Sequence, residues 1–368
     1  MIKTFLITLG LALPIVSMAT QTRSLEHKVG QMLMLGFHGT TATPKSQICK
    51  DIKLYHVGAV ILFDYNPVNK KEPKNIATKS QLKRLTAQLQ KCSSDGKLLI
   101  AVDQEGGKVQ RLKSKYGFYG KFPKSSDVVK MDQSQIRATY TKMSAELASV
   151  GINYDLAPVV DLDINIKNHV IHGLGRSFGK DPQLVASYAS TFIDAMHSHG
   201  VLTSLKHFPG HGSSVGDTHK GFVDVTHLWK KVELAPYKLL KDKADTVMVA
   251  HVFNKKLDKK YPASLSYSTI TKLLRGKLGY HGVVITDDLQ MGAISKKYGL
   301  RNTLKLAINA GDDILLIGNQ LDPKKVKSTK VLVEMIMGLI QAGEVKEESI
   351  NKAYQRIQKL KAKLTARL

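Results

Sequence analysis

The sequence predicts one α/β domain of the (β/α)8 TIM-type barrel class, and three observations lead there. Eight short apolar runs, most of them rich in β-branched residues, alternate with segments of helical periodicity. No Pro/Ser-rich linker interrupts the alternation, so a single domain is the economical reading. Titratable residues gather where the apolar runs end, as they must if one end of a barrel holds the active site. Strands alternating with helices imply parallel strands joined by right-handed crossovers. A doubly wound open sheet is the competing architecture. It is weaker because no glycine fingerprint follows an early strand.

Residues 1–19 are set apart from the fold. Met1-Ile2-Lys3 gives a short positive start, residues 4–16 are almost wholly apolar, and Ser17-Met18-Ala19 offers small residues at a cleavage position. This pattern predicts a secretory signal, and the run is too short for a membrane span. Residues 20–368 would then be a catalytic barrel with C-terminal packing helices, periplasmic or secreted. Strands are expected at 32–37, 57–63, 98–102, 152–157, 201–205, 246–250, 283–286 and 314–317. Helical periodicity marks 78–89, 133–150, 183–197, 227–241, 268–274 and 300–307. In the tail, an apolar helix over 331–340 is broken at Ala342-Gly343, and a lysine-rich amphipathic helix follows over 349–364.

The formal charge is +25, from 55 Lys and Arg against 30 Asp and Glu, with basic pairs such as Lys70-Lys71, Lys230-Lys231 and Lys259-Lys260. There is no RNA-binding aromatic motif, zinc-finger spacing or phosphate-loop signature, so no nucleic-acid partner is expected. An exported basic chain would meet anionic envelope polymers instead. A monomer is expected. Cys49 and Cys92 could form one disulfide or remain two buried thiols, and the sequence leaves both open.

The run at 98–102 leads into Asp103-Gln104-Glu105-Gly106-Gly107. The run at 152–157 carries Asp155 and leads to Asp161. The next three lead into Lys206-His207, His251 and Asp287-Asp288. In a barrel these ends would share one pocket. The stretch Lys206-His207-Phe208-Pro209-Gly210-His211-Gly212 is expected to be an irregular loop, because proline lacks a donor and glycine costs backbone entropy. Metal-assisted hydrolysis is one chemistry for such a set, but the histidines follow no metal-ligand spacing, so neither metal nor organic cofactor is expected. The other chemistry is glycoside cleavage. It needs a nucleophilic carboxylate and a proton donor. Asp287, closing an apolar strand, suits the first role, with Asp288 a capping or supporting group. Asp217 and His219, two residues apart on a loop, suit the second, because histidine can both give and take a proton near neutrality. The span from Gly212 to Gly216 would let that loop move.

Four motifs in order resemble glycoside hydrolase family 3, and most closely its bacterial single-domain β-N-acetylglucosaminidases. They are Asp103-Gln104-Glu105-Gly106-Gly107-Lys108-Val109-Gln110-Arg111, then Gly175-Arg176-Ser177-Phe178-Gly179, then Lys206 to Gly212 with Asp217-Thr218-His219, then Thr286-Asp287-Asp288-Leu289-Gln290-Met291. The resemblance implies Asp287 as nucleophile and His219, oriented by Asp217, as acid–base. It implies Asp103, Arg111, Arg176, Lys206 and His207 as holders of the terminal sugar, with His251 at the pocket wall. Lys108 stands where relatives often carry arginine, and its role is left open. The implied substrate is a glycan with terminal β-linked N-acetylglucosamine, in peptidoglycan fragments or chitooligosaccharides. The alternatives are a family 3 β-glucosidase or xylosidase, or a basic cell-wall-binding barrel without activity.

Overall fold

The computed structural model describes residues 23–94, 97–322 and 326–365; the predicted signal at 1–19 lies outside them. In chain order the strands are β1 (Leu33–Gly36), β2 (Ala59–Ile61), β3 (Leu99–Val102), β4 (Tyr154–Asp155), β5 (Leu202–Phe208), β6 (Val223–Asp224), β7 (Thr246–Val249), β8 (Val252–Phe253), β9 (Val283–Thr286) and β10 (Leu315–Ile317). Eight of them form one parallel sheet in the order β10-β1-β2-β3-β4-β5-β7-β9. A parallel bridge between Ile285 and Ile314 brings its two edges together, so the sheet curls into a nearly closed barrel. All eight expected strand positions are occupied. Their residues are buried along their whole length, as in a parallel sheet covered on both faces. The remaining pair, β6 and β8, forms a two-stranded parallel ribbon in the loops after β5 and β7.

Local chemistry sets the helix starts. Thr78 caps the helix Lys79–Cys92, and Asp132 and Gln135 form a reciprocal capping box on Gln133–Ser149. Asp181 caps Pro182–His197, where proline at the first turn gives up no needed hydrogen bond. The expected helix over 227–241 is shorter. It is a 3-10 turn at Lys231–Leu234 continuing into Ala235–Leu240, and Pro236 marks where the α-helical first turn begins. Ser268–Lys277 winds as a π-helix.

The tail forms the helices Thr329–Gln341 and Glu347–Thr365. The second packs on a short helix that the periodicity did not mark, Leu25–Gln31, beneath the barrel. Lys28 Nζ donates to Asn351 Oδ1 at 2.7 Å and Lys361 Nζ to Gln31 Oε1 at 2.8 Å, tying the two segments together.

Cys49 and Cys92 are joined, which decides between the two readings left open by the sequence. The bond links the helices Gln47–Tyr55 and Lys79–Cys92, on either side of β2 in sequence. It closes a loop with a sequence separation of 43 residues. By loop-closure entropy such a cross-link stabilises by about 4 kcal/mol. Replacing both cysteines by serine should lower the unfolding free energy by roughly that amount, measured by denaturant titration. A loss near zero would mean that residual structure already restricts the reduced, unfolded chain.

Candidate active site

The polar strand ends converge on a cavity of about 430 Å³ at the C-terminal mouth of the barrel. Asp103, Arg111, Arg176, Lys206, His207, Asp217, His219 and Asp287 all line it. His251 does not.

The floor is a charge cluster. Asp103 Oδ2 accepts from Arg111 Nη2 at 3.0 Å and its Oδ1 from Lys206 Nζ at 3.0 Å. Glu105 receives Arg176 in a fork, Nε and Nη2 each at 2.7 Å, and contacts Lys206 Nζ at 2.7 Å. Burial alone would raise both carboxyls. The cations reverse this: Lys206 and Arg111 hold Asp103 far below the usual range, and Arg176 and Lys206 bring Glu105 down to about 2. Beneath them, Asp155 Oδ1 accepts the Gln104 N–H at 2.9 Å, and burial raises its carboxyl, so it favours the neutral form.

The Lys206 stretch is more regular than expected. β5 runs through Lys206 and His207 to Phe208, and its register against β7 slips between Leu205 and Phe208. Asp161 organises the end of this strand and the turn after it. Its Oδ2 meets His207 Nδ1 at 2.6 Å, while Oδ1 accepts the His211 N–H at 2.7 Å. With Nδ1 facing a carboxylate and Arg176 Nη2 3.5 Å from Nε2, the network assigns the His207 proton to Nδ1. His211 stabilises the loop, with Nδ1 2.8 Å from Ser214 Oγ. Burial pushes its imidazole down to about 4, so it stays neutral.

Asp287 follows β9, with its N–H on the Val249 carbonyl at 3.0 Å. Burial would raise its carboxyl, but the imidazoles of His251, His207 and His219 hold it below the usual range. Asp288 supports the turn by accepting the N–H groups of Gln290 at 3.0 Å and Gly318 at 3.2 Å; burial raises it to about 6. His251 lies behind this turn, fully buried, rather than on the pocket wall. Its Nδ1 is 2.6 Å from Ser264 Oγ and its Nε2 2.9 Å from the Asp288 carbonyl, so one ring nitrogen is anchored outside the turn and the other holds it.

Asp217 Oδ1 accepts the His219 N–H at 3.0 Å and meets His219 Nδ1 at 2.9 Å. The imidazole is the open member of the site, with 55% of its side chain exposed. The start of the glycine-bounded span before it is packed, while Val215 within it is exposed. A Cβ on Gly212 would lie 1.8 Å from the Leu162 carbonyl oxygen, and Asn168 Nδ2 holds the His211 and Gly212 carbonyls at 2.8 and 3.1 Å. Close approach, not hinge freedom, explains glycine there.

Residues 24–360 match the model for the glycosyl hydrolase family 3 N-terminal domain. The chain belongs to this family. A β-hexosaminidase of Tolumonas auensis is 37% identical over 72% of this chain and 76% of its own length. β-Hexosaminidase A of Pseudoalteromonas piscicida is 31% identical over 91% of this chain, which spans only 60% of that protein. Among solved structures, a β-N-acetylhexosaminidase from Beutenbergia cavernae superposes with a TM-score of 0.81 at 31% identity, covering 93% of this chain and 99% of that one. A family 3 β-N-acetylglucosaminidase from Paenibacillus sp. gives 0.83 at 33%, covering 94% of this chain and 63% of that one.

Within this family 3 barrel, Glu105 and Asp161 are the site residues that strand-end reasoning passed over. Glu105 was visible as the second acid of the Asp103 motif, and Asp161 as the acid following the fourth run. Lys108 is exposed and does not line the pocket, so no sugar contact is assigned to it.

Glu233 anchors the Lys206 loop from outside. Its Oε2 accepts the Ser213 N–H at 3.2 Å and its Oε1 the Lys230 N–H at 3.1 Å. Burial, with the nearby Asp161 charge, raises its carboxyl to about 7. A folded-state pKa above the unfolded one makes the neutral form the stabilising one. That stability is complete below about pH 4.5 and is lost as pH rises through about 7. The stability of the wild type relative to Glu233→Gln should therefore fall between about pH 5 and 8, by up to roughly 3 kcal/mol, in denaturant titrations across that window. A difference independent of pH would place the ionised carboxylate in the fold.

Proposed function

We propose that the protein is a retaining exo-β-N-acetylglucosaminidase that releases terminal β-linked N-acetylglucosamine through a glycosyl-enzyme intermediate, without metal or organic cofactor. The observation that carries this reading is one pocket lined by an ionised strand-end carboxylate, Asp287, and by a histidine held at Nδ1 by a carboxylate, His219 with Asp217. The names of the relatives from Beutenbergia cavernae and Paenibacillus support the N-acetylated sugar.

Asp287 attacks the anomeric carbon as the glycosidic C–O bond breaks, and His219 gives its proton to the departing oxygen. The neutral imidazole then takes a proton from water, whose oxygen attacks the same carbon and frees Asp287. Asp217 fixes the His219 ring through Nδ1, leaving Nε2 for proton transfer. Asp103 accepts from sugar hydroxyls, while Arg111, Arg176, Lys206 and His207 present donors or ring nitrogens to them. The disulfide supports export, because such bonds persist in oxidising compartments. Peptidoglycan fragments or chitooligosaccharides in the periplasm or outside the cell are the natural substrates in this reading. The basic surface is free to meet anionic envelope polymers.

A panel of aryl β-glycosides tests the activity. The N-acetylglucosaminide should be turned over far faster than the glucoside or xyloside, and Asp287→Ala should lower that rate by several orders of magnitude, with Asp288→Ala costing less. Equal, mild effects of the two substitutions would remove Asp287 from its role. A second measurement addresses the acid. His219→Ala should harm substrates with poor leaving groups more than activated aryl glycosides, because only the former need protonation. A uniform loss across leaving groups would deny His219 that part.

A further inference from the structure

A second basin, of about 260 Å³, adjoins the catalytic pocket and shares Asp64 and Tyr65 with it. Its other walls come from residues 66–77, which follow β2, and residues 113–116, which follow Arg111. They bring Lys70, Lys71, Lys113 and Lys115 together against two carboxylates, Asp64 and Glu72. Asp64 is already matched, with its Oδ2 2.6 Å from Lys113 Nζ. Lys70, Lys71 and Lys115 make no ion pair among the described residues. Two rings complete the basin. Tyr116 is fixed by its hydroxyl on the Asp64 carbonyl at 3.1 Å, with Lys115 Nζ 4.7 Å from its ring centre, and Tyr65 is 46% exposed at the shared wall. These three ammonium groups, against the one remaining carboxylate of Glu72, leave the concavity net positive and attract an anion, while tyrosine rings offer flat, amphipathic surfaces to a sugar.

We propose that this basin is a leaving-group subsite that recognises a sugar carrying an anionic group. The proposal rests on the exo-glycosidase reading above. There the terminal sugar occupies the charged floor at Asp103, and the remainder of the substrate extends past the rim, of which Tyr65 forms the part shared with this basin. Lys70, Lys71 and Lys115 then meet the negative charge of the departing sugar. The basin separates the two substrate classes named above, since chitooligosaccharides are neutral and peptidoglycan fragments carry carboxylates.

The test compares two β-N-acetylglucosaminyl disaccharides that differ only in charge, one with a carboxylate on its reducing-end sugar and the other with the corresponding amide. Wild-type kcat/KM should favour the carboxylate by about tenfold at low salt, and the ratio should shrink as salt is raised. In the combined Lys70→Ala, Lys71→Ala, Lys115→Ala variant the ratio should approach one. It is read within each protein, so a change in overall activity does not affect it, and thermal unfolding checks that the variant folds. Equal rates on the two substrates in the wild type, or a preference that survives in the variant, would overturn the subsite. Absence of turnover on every N-acetylglucosaminide, the aryl one included, would instead overturn the reading beneath it, and the subsite with it.

Discussion

Lys206 is almost completely buried yet carries its charge, and this is possible only because Asp103 and Glu105 both face its ammonium group. The rest of the catalytic face depends on that arrangement. Taking an isolated charge out of water costs several kcal/mol even after the surroundings relax. The floor meets this cost by near-balance: the carboxylates of Asp103, Glu105 and Asp161 stand among Arg111, Arg176 and Lys206. Three separate stretches of chain are locked to one another through it, namely the end of β3, the loop carrying Arg176 and β5. A floor held by so many charge-assisted bonds has little freedom to reorganise. It therefore presents fixed donors and acceptors to hydroxyl groups, which suits recognition of a sugar.

The two histidines that look alike in the sequence are separated by their surroundings. His207 and His219 each face a carboxylate through Nδ1, at 2.6 and 2.9 Å. His207 is pressed into the floor, with 11% of its side chain exposed, and its Nε2 lies 3.5 Å from Arg176 Nη2. His219 stands in the open, on a carboxylate that is itself only partly buried. A proton donor must exchange protons with solvent or substrate, and only the second position allows it. The same residue pair thus forms a fixed contact in one place and an open, solvent-facing imidazole in the other.

The strands were legible because parallel barrel strands are buried on both sides, which leaves short apolar runs bounded by polar residues. The site was legible for a related reason: each run ends at the mouth, so a polar residue placed just after it points to the pocket. His251 shows where this rule fails. It stands two residues past β7, where Asp287 stands one past β9, and from there its ring reaches behind the turn beyond β9 to the Asp288 carbonyl. Glu105 and Asp161 were passed over for the converse reason. Each lies beyond its strand end, Asp161 after Pro158, and only the fold returns them beneath Arg176 and His207. Nor could spacing show that Cys49 and Cys92 face each other, since helix packing sets that distance.

The packed glycines change how the Asp217–His219 arm is positioned. With Gly212 wedged on the Leu162 carbonyl, the start of the span before Asp217 is a support, and the arm takes its place from what it touches next. Gly292 N–H donates to the His219 carbonyl at 3.2 Å, Ala293 N–H to the Thr218 carbonyl at 3.2 Å, and Lys296 Nζ to the Lys220 carbonyl at 2.9 Å. These donors belong to the short helix Gly292–Ser295 and the residue after it, in the segment that leaves the Asp287-Asp288 turn. Glycine at 292 is itself a packing requirement, because a Cβ there would lie 2.9 Å from the His219 carbonyl oxygen. Asp287 and His219, although 68 positions apart in sequence, are therefore set by one structural unit. A shift of the turn that carries Asp287 would carry the Asp217–His219 couple with it, which preserves their mutual geometry better than two independent loops could.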